Sequence, residues 1–219
     1  MSKLLAFCSL FLFACSFGPG NLQSRHSSDL ETRRIRRIAV LPPIHPGGEA
    51  GTNIPSGSAS VPKNFGRDPT ETLARAAYST AAGMPNWQIV SESEVREVSG
   101  NLGPASETER FRQIGEMVYA DAVLTGRVQR YRERVGDEWG AKSPASVAFV
   151  LDLIDVRRGD VIWSARFDET QKSLSENIFA IGDIGQRGVR WLTAAQLTQE
   201  GVRKALGQLH QIIARAPIS

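Results

Sequence analysis

The run from Ser146 to Val156 is apolar in both of its alternating registers, with Val147, Phe149, Leu151 and Leu153 in one and Ala148, Val150, Ile154 and Val156 in the other. Successive side chains of a strand point to opposite faces. A strand that is apolar on both faces is buried on both, so this segment is expected at the centre of a sheet. Both sheet faces then need cover, and where helices do not supply it a partner molecule can. Asp152 and Asp155 are three apart and fall on opposite faces, so they cannot act together as a general acid and base.

The flanking sequence supplies the other elements. Ile35 to Leu41 reads as a first strand closed by Pro42-Pro43, because β-branched residues cluster and proline cannot extend a ladder. Residues 42–68 hold five Pro and five Gly and form a long loop. Helix starts carry an oxygen-bearing cap with Glu or Gln three residues on, at Asp68/Glu71, Ser91/Glu94, Ser106/Glu109, Ser173/Glu176 and Thr193/Gln196. A short strand is expected at Trp87 to Val90. Strands at 122–134, 145–156 and 161–170 form an antiparallel meander, its last turn at Arg157 to Asp160. Val202, Ala205, Leu206, Leu209, Ile212 and Ile213 make the apolar stripe of a C-terminal helix. The predicted fold is α+β, with a mixed sheet of about five strands in the order β-α-β-α-β-β-β-α and helices mainly on one face.

The N-terminus decides the compartment. Lys3 precedes an apolar run of about ten residues that ends at Ala14-Cys15, far short of the roughly 20 needed for a spanning helix. Leu12-Phe13-Ala14-Cys15 resembles the bacterial lipobox, in which the cysteine is acylated and becomes the first residue after cleavage. The expectation is a signal peptide over 1–14, then an acylated Cys15 and flexible tether over 15–34, then a periplasmic domain over 35–214. Cys8 and Cys15 are the only cysteines, so the processed chain keeps one cysteine and forms no internal disulfide; acylation also removes a thiol that an oxidising compartment would endanger. With Ser16 rather than Asp after the cysteine, the resemblance implies sorting to the outer membrane, facing the periplasm.

Three segments extend the resemblance. They are Ile38-Ala39-Val40-Leu41-Pro42, then Tyr119-Ala120-Asp121-Ala122-Val123-Leu124-Thr125-Gly126, and Val150 to Val156 followed by Gly159 and Trp163-Ser164. Together they resemble periplasmic lipoprotein domains of the group that includes the curli-secretion lipoprotein, the activators of penicillin-binding proteins and the N-terminal domain of the Tol-system propeller protein. Members usually carry Gly where this chain has Tyr119. The resemblance implies a protein-interaction domain that binds and positions a periplasmic or envelope protein in envelope assembly, peptidoglycan synthesis or transport. The alternative it implies is a self-assembling ring or secretion component, a homo-oligomer. A pore is disfavoured, because the nine residues from Val135 to Ser143 cannot cross a bilayer and return.

No enzymatic constellation is legible. His26, His45 and His210 have no shared spacing, and no HExxH, paired CxxC or Gly-Lys-Ser/Thr loop occurs, so no catalytic residue, metal or cofactor is expected. The glycines from Gly182 to Gly188 follow a predicted helix rather than a strand, contrary to a dinucleotide site. A net charge of +3, from 26 basic and 23 acidic residues, gives no reason to expect a nucleic-acid partner. Arg33, Arg34, Arg36 and Arg37 read either as a solubilising edge or, close to the anchor, as contacts for anionic headgroups. Asp168, Glu169, Gln171, Glu176 and Asn177, at and after the end of the last strand, are candidate partner contacts.

Overall fold

The computed structural model describes residues 21–42, 68–103, 105–137, 140–171 and 191–215. Its strands are β1 (Leu22–His26), β2 (Arg37–Val40), β3 (Gln88–Ile89), β4 (Ala122–Arg132), β5 (Val135–Asp137), β6 (Gly140–Ser143), β7 (Ser146–Asp155) and β8 (Val161–Thr170). Its helices are α1 (Pro69–Ala82), α2 (Glu92–Gly100), α3 (Glu107–Met117) and α4 (Ala194–Ala214), with one 3-10 turn at Leu30–Thr32. Six strands form a mixed sheet in the order β1-β8-β7-β4-β2-β3, and β5 with β6 makes a separate ribbon. The expected α+β class and mixed sheet are present, with one strand more in the main sheet than the sequence suggested.

The additional strand is β1, and it corrects the expected tether. The expectation of a flexible tether over 15–34 fails from Leu22 onward, where Leu22–His26 pairs antiparallel with β8 and Leu30 is fully buried. The reason is physical: four of the five residues of β1 are exposed, so this edge strand is held by its backbone ladder and shows no apolar alternation. Cys15 and the rest of 1–20 lie outside the described residues, as do most of the 42–68 loop, Ser173, Glu176, Asn177 and the glycines 182–188.

Strand β2 sits between β3 and β4 and is parallel to both. The chain leaves β2 through α1 to reach β3, then returns through α2 and α3 to β4 on the other side. Crossovers of one hand running in opposite directions place their helices on opposite faces. Accordingly Leu73, Ala76 and Ala77 of α1 join Leu197, Val202, Leu206 and Leu209 of α4 over Ile38, Leu124, Phe149, Leu151 and Phe167. On the other face Val95 of α2 and Phe111 and Ile114 of α3 cover Ala39, Val123, Ile154 and Val156. The two longest helices share one face. Both registers of β7 are buried as its sequence requires, apart from a half-buried Val150. Phe149 and Phe167 stack at 5.2 Å between ring centroids.

Four of the five expected caps lie among the described residues and accept from the first turn of their helices, the reciprocal bond being made at Thr193. Ser91 and Ser106 accept from the amides of Glu94 and Glu109, Asp68 accepts from Thr70, and Thr193 with Gln196 forms a reciprocal capping box. Gly159 turns β7 into β8 at φ +74°, a left-handed conformation that glycine adopts without steric cost.

Candidate functional site

The α2–α3 layer stops short of β8 and β1, leaving their face open among the described residues. Register shows what lies on it. Arg127 of β4 stands opposite Val150 of β7, which stands opposite Arg166 of β8, next to Gln23 of β1. In the adjoining row Arg130 stands opposite Ala148 and Asp168. A bulge between Val128 and Arg130 keeps Arg127, Arg130 and Arg132 on this one face although their spacing is uneven. Arg25, opposite Ser164, extends the set onto the edge strand.

The side chains make a lattice. Arg130 spans Ala148, donating from Nε to Ser146 Oγ at 2.7 Å and from Nη2 to Asp168, and its stem covers Ala148, which is only 1% exposed. Arg166 reaches the other oxygen of Asp168 at 3.3 Å. Arg127 stands 3.5 Å from both Asp152 and Glu107. The hydrogen bond from Arg130, assisted by Arg166 and opposed by partial burial, holds the Asp168 carboxyl below the usual carboxylate range. Five arginines therefore face outward against three carboxylates, and the surface is cationic.

The candidate partner contacts separate. Asp168 lies on this open face. Glu169 accepts a hydrogen bond from Asn21, and Gln171 accepts from the amide of Leu192 at 2.9 Å, so both tie neighbouring segments to the sheet end. Of the arginines near the N-terminus, Arg33 is largely buried between Asp29 and Asp155, and Arg37 donates to Val118 O and Glu94. Burial pulls the Arg33 pKa down, but its two carboxylate partners outweigh that and hold it above its ordinary value. Arg33 and Arg37 are thus engaged within the fold rather than turned to headgroups. The outward-facing set comes from β1, β4 and β8. The uneven spacing of Arg127, Arg130 and Arg132 hid it from a period-2 reading, and only the strand register aligns it with Arg25 and Arg166.

A groove of about 470 Å³ opens at the carboxyl end of β2, between α1 and α2, lined by Val40, Leu41, Glu71, Arg75, Tyr78 and Arg96 among others. It occupies the switch point between opposite crossovers, where open α/β sheets commonly bind ligands. Its charges are mutually satisfied at least at Arg75 and Glu71. His26 accompanies β1, and His210 contacts Pro85 O and the edge of Trp87. Among the described residues no group of three His, Cys, Asp or Glu is placed to hold a metal, and no helix is long and apolar enough to cross a membrane.

No protein-family model and no curated protein matches the chain. Solved structures do show a similar chain path. A PelC dodecamer from Paraburkholderia phytofirmans is 18% identical, covering 86% of this chain and 97% of that one at a TM-score of 0.47. Lipoprotein GNA1162 from Neisseria meningitidis is 18% identical, covering 70% and 93% at 0.42. The LpoB C-terminal domain from Escherichia coli is 14% identical, covering 62% and 83% at 0.40.

Proposed function

We propose that this chain is a non-enzymatic lipoprotein of the outer membrane, held by an acylated Cys15, whose periplasmic domain binds and positions a protein partner in envelope assembly, peptidoglycan synthesis or transport. The observation that carries the reading is the Lys3 to Cys15 pattern, which ends seven residues before the first strand of the sheet begins. Two or three acyl chains, at roughly 0.8 kcal/mol per buried methylene, hold a protein on a bilayer for its working life. Asp168, Glu169 and Gln171, at the sheet end where the chain enters, are the candidate contacts, together with Glu176 and Asn177 outside the described residues.

Processing and partnership are tested separately. Globomycin treatment, or Cys15→Ser, is expected to leave an unprocessed precursor; normal maturation of the Cys15→Ser protein overturns the anchor. Crosslinking in native membranes is expected to capture one heterologous partner. A discrete homo-oligomer with no such partner would replace the adaptor by a self-assembling component.

A further inference from the structure

We infer that the open face of β4, β7, β8 and β1 is a membrane-facing surface that takes anionic phospholipid headgroups through Arg25, Arg127, Arg132 and Arg166, with Arg130 fixed behind them by Asp168 and Ser146. The inference rests on the anchored reading of Cys15. Two observations carry it. The first is charge: the side chains of Arg127 and Arg166 are 45% and 54% exposed, and Arg25 and Arg132 are exposed as well, around the half-buried Val150. Guanidinium groups match phosphate oxygens in geometry and in charge.

The second is reach. Strand β1 begins at Leu22, opposite Phe167, so the chain enters the sheet at the end that also carries Arg130, Arg132 and Asp168. The residues between Cys15 and Leu22 extend at most about 25 Å at roughly 3.5 Å each. An acylated Cys15 therefore keeps this end of the face close to the bilayer, where each arginine that comes within a Debye length of an anionic surface adds to the attraction. The anchor supplies attachment and the arginine face supplies orientation. With that face turned down, the layer of α1 and α4 points into the periplasm and the sheet end remains open at the rim.

The test uses the chain from Cys15 onward with Cys15→Ser. It contains every described residue but carries no acyl group, so binding by the face is read apart from the anchor. At low salt it is expected to co-sediment with phosphatidylcholine vesicles containing a third of phosphatidylglycerol and not with phosphatidylcholine alone. Each of Arg25→Gln, Arg132→Gln and Arg166→Gln is expected to weaken binding about fivefold, the equivalent of roughly 1 kcal/mol, while Arg203→Gln on α4 leaves it unchanged. Circular dichroism confirms that the variants are folded. Failure to bind the anionic vesicles, equal binding to neutral ones, or indifference to the three substitutions overturns the proposal. Capture by immobilised polyglutamate through the same arginines, without vesicle binding, also overturns it and makes the face a docking site for acidic protein. Vesicle binding by this chain together with globomycin-insensitive processing in cells would retain the face and reject the anchor.

Discussion

Gly201 of α4 lies directly against the ring of Phe167, so close that a Cβ built there falls 2.7 Å from two ring carbons. Phe167 is fully buried and stacked on Phe149, which leaves its ring no room to yield. Two effects oppose each other in Gly201→Ala. Alanine gains about 1 kcal/mol of helix propensity, whereas overpacking a filled core costs about 1–3 kcal/mol or more. The clash is expected to win, giving a net loss of about 1–2 kcal/mol by urea unfolding. A more stable variant would mean that α4 slides on the sheet without penalty.

Tyr119 has the opposite balance. It follows α3 at φ +53°, in the left-handed region, and is 85% exposed. A non-glycine residue there costs roughly 1–2 kcal/mol, and the exposed ring recovers little by packing. Tyr119→Gly is expected to raise stability by about 0.5–1 kcal/mol, part of the gain being offset by the greater entropy of the unfolded chain. A destabilised Tyr119→Gly protein would show that the ring packs in solution against a surface it does not touch here.

What the sequence revealed follows from how each element is stabilised. The two-faced strand β7, the caps Ser91, Ser106 and Thr193, and the stripe of α4 are fixed by side chains, and all were legible. Strand β1 is fixed by backbone pairing to β8 and presents polar residues, so composition read it as a tether. The arginine face is legible only with a register, because Arg25, Arg127, Arg130, Arg132 and Arg166 come from three strands and a bulge breaks their period. Arg33 and Arg37 illustrate the converse, since a basic run in sequence is consumed by ion pairs and a carbonyl once the chain folds.

Asp121 joins the two halves of the sheet. One of its carboxylate oxygens accepts from the amides of Arg36 and Arg37, at 2.9 and 2.8 Å, where β2 begins beside β4. Asp121→Ala removes the acceptor from both donors. The loss is expected to be about 2 kcal/mol, because the amide of the half-buried Arg37 is left without its partner while that of the exposed Arg36 recovers water. Asp121→Asn keeps an acceptor oxygen without its charge and is expected to lose about half as much. Thermal unfolding of the two variants checks the order, and an alanine variant as stable as the asparagine one would show that water replaces the carboxylate.

Arg33 closes the turn at Asp29 to Thr32 onto the β7–β8 turn, donating to Asp29 at 2.6 Å and to Asp155, while Arg158 adds a contact to Asp29 at 3.2 Å. The side chains of Arg33 and Asp155 are 13% and 12% exposed, so breaking this pair is expected to cost about 3 kcal/mol in Arg33→Gln. The same contact has a pH signature. Hydrogen bonds from Arg33 first, then Ser27, bring the Asp29 carboxyl down to about 2, below its unfolded value near 3.9. A carboxyl depressed by folding binds protons more weakly in the native state, so its contribution is complete above about pH 4 and is lost as the pH falls toward 2. The Asp168 carboxyl is lowered by Arg130 and moves in the same sense. In Arg33→Gln the Asp29 midpoint, followed by carbon-detected NMR, is expected to rise from about 2 toward 4 while Asp168 stays depressed. The acid limb of stability should flatten accordingly. An Asp29 midpoint that stays near 2 in the variant would transfer the cause from Arg33 to Ser27 and Arg158.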